Sequence, residues 1–188
     1  MILSRDEVEA LLEAPRNLGH RAMLATMHAA LLRISEVAAL KVRDLDGDRR
    51  TISVREGNGR KDRQVMLPDP LRELLAAYWK WKHPTEWLFP GNVPGQPVSS
   101  RTTFRACRSA ARKAGLAKHV DPHSVQHAFA THLLEDGVNL AIIQVLLWHK
   151  SLKTIAQYLH AADAAVLSTR SPLESLGAID LVRTTPPK

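Results

Sequence analysis

The hydrophobic period of this chain changes once and then changes back, which confines it to few folds. Over residues 4–40 apolar side chains recur at helical spacing. Ser4, with Glu7 three residues on, makes a capping pattern for a first helix whose apolar face is Val8, Leu11 and Leu12. A second helix is expected over residues 20–32 and a third over 33–40, with Ser35 as its cap. From Lys41 to Pro68 the pattern alternates. Thr51-Ile52-Ser53-Val54 and Gln64-Val65-Met66-Leu67 read as strands about a turn rich in glycine and charge. The helical period then returns. Asp69 is expected to cap a helix with Pro70 at its first position. Residues 83–99, with four prolines and two glycines, read as an ordered loop, and a further helix runs to about Lys113 and ends at Gly115. Three closely spaced helices follow Pro122, the first ending at Gly137, the others capped by Asn139 and Ser151. The expectation is a mostly α fold of the α+β class, with one small antiparallel sheet among helices.

At 188 residues the chain is expected to form one domain, residues 1–170, with a C-terminal tail over 171–188. Its single cysteine, Cys107, allows no intrachain disulfide and fits a reducing cytoplasm. The N-terminus turns acidic and amphipathic at once, unlike a signal peptide, and no apolar run approaches membrane-spanning length. Charge is more informative. Lysine and arginine total 26 against 19 acidic residues, a net +7 that favours a polyanionic partner. From Trp87 to Val120 there is no acidic residue at all. Within that window Arg101, Arg105, Arg108 and Arg112 recur at i, i+4, i+7 and i+11, one stripe along a helix, with Lys113 beside it. A solvated face would interleave carboxylates. A stripe without them suits a phosphate backbone, whose counterions it displaces.

The stretch from His123 to His160 concentrates side chains able to do chemistry: His123, His127 and His149 precede Tyr158 on successive helices. His123 and His127 stand at zinc-pair spacing, but Ser-Val-Gln lies between them with no general-base glutamate and no evident third ligand. No metal is expected.

Four separated motifs, in order, resemble those of the tyrosine recombinases of the phage integrase family, and the similarity covers nearly the whole chain. LLRISEVAALKVRDLD (31–46) resembles the segment around that family's first catalytic arginine, which a Ser-Glu pair follows; here these are Arg33, Ser35 and Glu36. EGNGRKDRQVMLP (56–68) resembles its second and third strands, whose turn usually reads Gly-Lys-Gly. HSVQHAFATHLLEDGV (123–138) resembles the segment that usually begins His-x-x-Arg-His. LLWHKSLKTIAQYLH (146–160) resembles the segment that carries the nucleophilic tyrosine nine residues after its histidine, the spacing of His149 and Tyr158. SPLESL (171–176) resembles the tail of transposon-associated members.

The resemblance implies a helical bundle with a three-stranded antiparallel sheet. It also implies site-specific cleavage and rejoining of double-stranded DNA through a 3′-phosphotyrosine, as in DNA integration and recombination by mobile elements, without cofactor or metal. Storing the phosphodiester on the protein is covalent catalysis. The transition state spreads negative charge over non-bridging oxygens, which suits forked, permanently charged arginines. Tyr158 is then the nucleophile, Arg33 binds the scissile phosphate, His123 is donor or base, and His149 donates to a non-bridging oxygen. Glu36 and His127 are support positions. Arg101, Arg105, Arg108, Arg112 and Lys113 are the expected DNA contacts.

This chain departs from the family at two charged positions. Gln126 stands where the second arginine is usual, and Asn58 where the hairpin lysine protonates the leaving oxygen; Lys61 is a candidate substitute acid. Loss of one such donor costs about 3–4 kcal/mol of transition-state stabilisation, so cleavage is expected to be weak or absent. The alternative is an integrase-derived DNA-binding module without chemistry. Trp148 also replaces the usual glycine before His149. The family's separate N-terminal core-binding domain is expected to be absent. Residues 161–188 are the candidate segment for exchange between copies in a tetramer on DNA, in the bacterial cytoplasm at the nucleoid.

Overall fold

The computed structural model describes residues 2–55, 62–136, 138–139, 142–143, 146 and 171. Three helices, α1 (Arg5–Glu13), α2 (Leu18–Ala29) and α3 (Ile34–Ala38), lead through a short 3₁₀ turn, Val42–Asp44, into β1 (Leu45–Asp46), β2 (Thr51–Val54) and β3 (Arg63–Met66). Helices α4 (Asp69–Lys82), α5 (Ser100–Lys113) and α6 (Pro122–Glu135) follow. The sheet is antiparallel in the order β1-β2-β3, with Ile52 opposite Val65 and Thr51 opposite Met66. This is the mostly helical fold with a small three-stranded sheet that the sequence led us to expect. No helix among the described residues is long and apolar enough to cross a membrane.

Helix α2 is the axis of the bundle. It packs against α1, α3, α4, α5 and α6, and eleven of its residues, from Leu18 to Ala29, are buried. A helix apolar on all sides belongs in a core. Gly19 lets α4 approach: a β-carbon there would stand 3.3 Å from the Tyr78 ring. Two of the polar side chains that α2 carries inward are met locally. Arg21 donates to the carbonyls of Glu13 at 2.8 Å and Pro15 at 3.2 Å, and Thr26 donates to Ala22 O at 2.7 Å. Such pairing is what makes a buried polar group tolerable.

Helix α1 has the capping box read from its sequence. Ser4 N donates to Glu7 at 2.8 Å and Glu7 N donates to Ser4 Oγ at 3.2 Å. Gly115, at φ +68°, follows the end of α5 as expected. Other boundaries differ from the sequence reading. Helix α2 stops at Ala29 rather than 32, because Leu31 turns left-handed, φ +53°, and sends its side chain into a second apolar cluster. The cap of α3 is consequently Arg33, not Ser35. Asp69 does not cap α4 but is its first residue. Pro68 holds the cap position, and the Asp69 carboxylate pairs with Arg72 and Arg50, both at 3.2 Å.

The α2–α6 contact buries two histidines. His28 is fully buried, edge-on to Phe129 at 5.5 Å between ring centres, and His132 approaches Leu3 O through Nε2 at 3.1 Å. Burial, reinforced by His132 and opposed by the Val125 backbone, pushes His28 from 6.5 down to about 3. The folded ring therefore stays neutral where the unfolded ring takes a proton, so stability present above pH 6.5 is lost as pH falls towards 3. Between pH 6.5 and 4.5, where carboxylates contribute least, unfolding free energy should decline with acidity. Urea denaturation across that window should show His28→Leu flattening the decline by about 1.4 kcal/mol per pH unit.

Candidate functional site

Arg33 is presented by the abrupt end of α2. It has extended backbone, φ −70° and ψ 155°, and is the N-cap of α3. Its backbone N–H donates to Glu36 Oε2 at 2.8 Å. Glu36 is held in turn by Arg63, the first residue of β3. Arg63 donates from both terminal nitrogens, 2.8 Å to Oε1 and 2.8 Å to Oε2. The two side chains are 7% and 8% exposed, so this is a buried forked pair. Burial alone pushes the Glu36 carboxyl up. The Arg63 hydrogen bonds, the Arg33 backbone and both guanidinium charges outweigh it and hold the group below the usual carboxylate range. The Arg33 guanidinium makes only a looser ion pair with Glu36, 3.8 Å from Oε1, and is 37% exposed. Arg63 takes both carboxylate oxygens by direct hydrogen bonds; the Arg33 guanidinium meets the carboxylate only at ion-pair distance and stays more than a third exposed.

Helix α6 carries the second group of candidates. Asp121 and Ser124 cap it reciprocally, with Ser124 N donating to Asp121 Oδ1 at 2.8 Å and Asp121 N donating to Ser124 Oγ at 3.3 Å. Burial raises the Asp121 carboxyl, but the Ser124 hydrogen bonds and nearby His123 bring it below its ordinary value. His123 and His127 are exposed and Gln126 is half-buried, so i, i+3 and i+4 form one outward ridge. Val125, Ala128, Phe129 and His132 face inward.

A second apolar cluster ties these pieces together. Leu31, two residues before Arg33, packs with Met66 of β3, with Phe129, Ala130 and Leu133 of α6, and with Ile143 and Leu146. The segments flanking Arg33, Arg63 and Gln126 thus share one core. Arg33, Glu36 and Arg63 meet directly. Asn58, Lys61, His149 and Tyr158 lie outside the described residues.

Arg63 is the site residue that the sequence reading missed. Its signal was present: on a strand, residue 63 shares a face with residue 65, and Val65 is buried. An arginine on the inward face of a strand requires a buried acid.

Helix α5 displays the arginine stripe. Arg101, Arg105, Arg108, Arg112 and Lys113 are all exposed, while Thr103, Ala106, Cys107, Ala110 and Ala111 face the core. Among the described residues none of the five pairs with a carboxylate; Arg108 approaches His119 Nε2 at 2.5 Å. Cys107 is fully buried behind the stripe, and burial pushes its thiol up to about 12.

Comparison with known proteins identifies a family and a shared fold. Residues 2–165 match the phage integrase family. The protein y4qK of Sinorhizobium fredii (strain NBRC 101917 / NGR234), named as an integrase/recombinase, is 47% identical over 176 residues, 94% of this chain and 57% of its own length. This chain therefore spans little more than half of that relative. Among solved structures, that of XerA recombinase superposes with a TM-score of 0.74 at 28% identity, covering 93% of this chain and 61% of that one. The pre-cleavage complex of the XerH site-specific recombinase bound to difH substrate gives a TM-score of 0.69 at 25% identity, covering 87% and 52%.

The buried pair has a direct stability consequence. Glu36→Ala strands the Arg63 charge and should cost about 3–5 kcal/mol in urea denaturation. Arg105→Ala, on the exposed stripe, should stay within about 0.5 kcal/mol of the parent.

Proposed function

This chain belongs to the phage integrase family, and we propose that it is the catalytic domain of a tyrosine recombinase that cleaves and rejoins duplex DNA at specific sites. The carrying observation is Arg33: its backbone is pinned by Glu36, that carboxylate is satisfied by buried Arg63, and its own guanidinium is left outward for a phosphate. In this reading Tyr158 Oη attacks the scissile phosphorus. The bond to the 5′-oxygen breaks, a 3′-phosphotyrosine forms, and the 5′-hydroxyl leaves with a proton from a nearby acid. Reversal by another 5′-hydroxyl rejoins the strand. Arg33 and His149 stabilise the non-bridging oxygens, and His123, on the exposed ridge of α6, donates or accepts a proton. Glu36 and His127 support them.

Duplex DNA as partner is supported by the likeness to XerH, whose structure holds its difH substrate, and by the carboxylate-free stripe of α5. Residues 1–170 are the catalytic domain in this proposal. Residues 171–188 are its tail, and 161–188 dock on a neighbouring copy in a tetramer on DNA. The setting is the bacterial cytoplasm, at the nucleoid.

The proposal includes impaired chemistry. Gln126 is neutral at a position that otherwise offers a charged fork, and Asn58 is no proton donor of the lysine kind; Lys61 is the candidate substitute. Incubation with nicked suicide duplexes of randomised core sequence should give a slow covalent adduct that Tyr158→Phe abolishes. Gln126→Arg with Asn58→Lys should raise adduct yield by about 100-fold or more. Salt-dependent binding with no adduct in either form would leave a DNA-binding module without chemistry. Each of Arg105→Ala and Arg108→Ala should lower the slope of log affinity against log salt by about 0.9.

A further inference from the structure

We propose that Arg63 is a positioning residue that keeps the Arg33 guanidinium out of a direct hydrogen bond with Glu36 by occupying both carboxylate oxygens; as a role in phosphate binding, this rests on the function proposed above. Glu36 has two oxygens and three claimants. Arg63 takes both oxygens at 2.8 Å, and the Arg33 backbone N–H shares Oε2 at 2.8 Å. The Arg33 guanidinium is left 3.8 Å from Oε1, beyond hydrogen-bonding range. Cap and third helical residue lie one turn apart, so this gap is short enough to close whenever the carboxylate loses its other partner.

Exposure separates the two arginines. Arg63 is 7% exposed and anchored opposite Val54 in the β2–β3 ladder, so it cannot reach an incoming ligand. Arg33 is 37% exposed and can. The three groups carry one net positive charge, and the fork on Glu36 leaves that charge at the exposed end. A lone glutamate beside Arg33 would instead fold the guanidinium onto itself and compete with any phosphate. With Arg63 present, the same carboxylate fixes the Arg33 backbone without taking its side chain.

The test reads Arg33 itself, without DNA, by its rate of modification with phenylglyoxal, mapped by mass spectrometry on the full chain. Relative to the parent, Arg63→Met should slow modification of Arg33 by roughly tenfold as the guanidinium enters a charge-assisted pair with Glu36. Adding Glu36→Gln to Arg63→Met should restore the parent rate, because glutamine can still accept the backbone N–H but no longer attracts the side chain. A merely structural role for Arg63 predicts no rescue. Thermal melting run in parallel identifies a variant that does not fold. Should Arg63→Met fail to fold, Arg63→Lys with and without Glu36→Gln carries the same comparison, since one ammonium cannot satisfy both oxygens. The inference is overturned if Arg33 reacts at the parent rate in the folded single variant, or if the double variant is no faster than the single. Affinity for a duplex, measured by fluorescence anisotropy, should follow the same order. If modification follows it while not even the parent binds DNA in a salt-dependent way, the proposed function fails and the positioning role stands.

Discussion

A helix buried on every side constrains everything attached to it. Because α2 is enclosed by α1, α3, α4, α5 and α6, each polar group it carries must be met inside the bundle or kept neutral. Arg21 spends its hydrogen bonds on the carbonyls that end the α1 segment, and His28 remains uncharged between α2 and α6. The same enclosure dictates how the helix ends. Continued helically, it would keep Arg33 on a cylinder already surrounded. The left-handed residue Leu31 breaks the path and returns the chain to the surface at the arginine. A non-glycine residue in that region of backbone space is costly, and here the side chain compensates by filling the second cluster.

The pair at Glu36 has a different energetic character. Two charges removed from water gain little stability together, and a well-packed apolar pair often does as well. What the pair supplies is direction. A forked contact fixes the plane of the carboxylate, and with it the entry angle of α3. The α5 stripe works the opposite way: its cations sit on long exposed stems, specify no geometry, and set up a field. The function proposed above uses both, a broad attraction to bring a phosphate backbone close and one oriented group at the reacting phosphorus.

The sequence revealed the elements more readily than their joints. The α1 capping box, the β2–β3 pair and the α5 face were legible because each depends on neighbours three or four residues away or on simple alternation. The end of α2 was not, since helical periodicity runs on through Leu32; what stops the helix is the distant packing of Leu31 against Met66 and Phe129. Ser35 and Asp69 are good caps by composition, yet the chain enters α3 and α4 at Arg33 and Pro68, one or two residues earlier. At the site, motif order identified Arg33 and Glu36, which meet in the fold. Arg63 escaped because its partner lies 27 residues away and across elements; only the inward face of the strand betrays it. His149, Tyr158, Asn58 and Lys61 were legible as motif positions alone.

The burial of Cys107 bears on how this molecule can be handled. It is the chain's single cysteine, and it lies beneath α5 with its thiol held near 12, so almost none is thiolate at neutral pH. Maleimides and nitroxide reagents need that thiolate. A cysteine introduced on the surface would therefore be the one site that such reagents label in the folded protein, with the native residue left in place. Spin or dye pairs placed this way can report distances without a cysteine-free background and the core cavity it would leave.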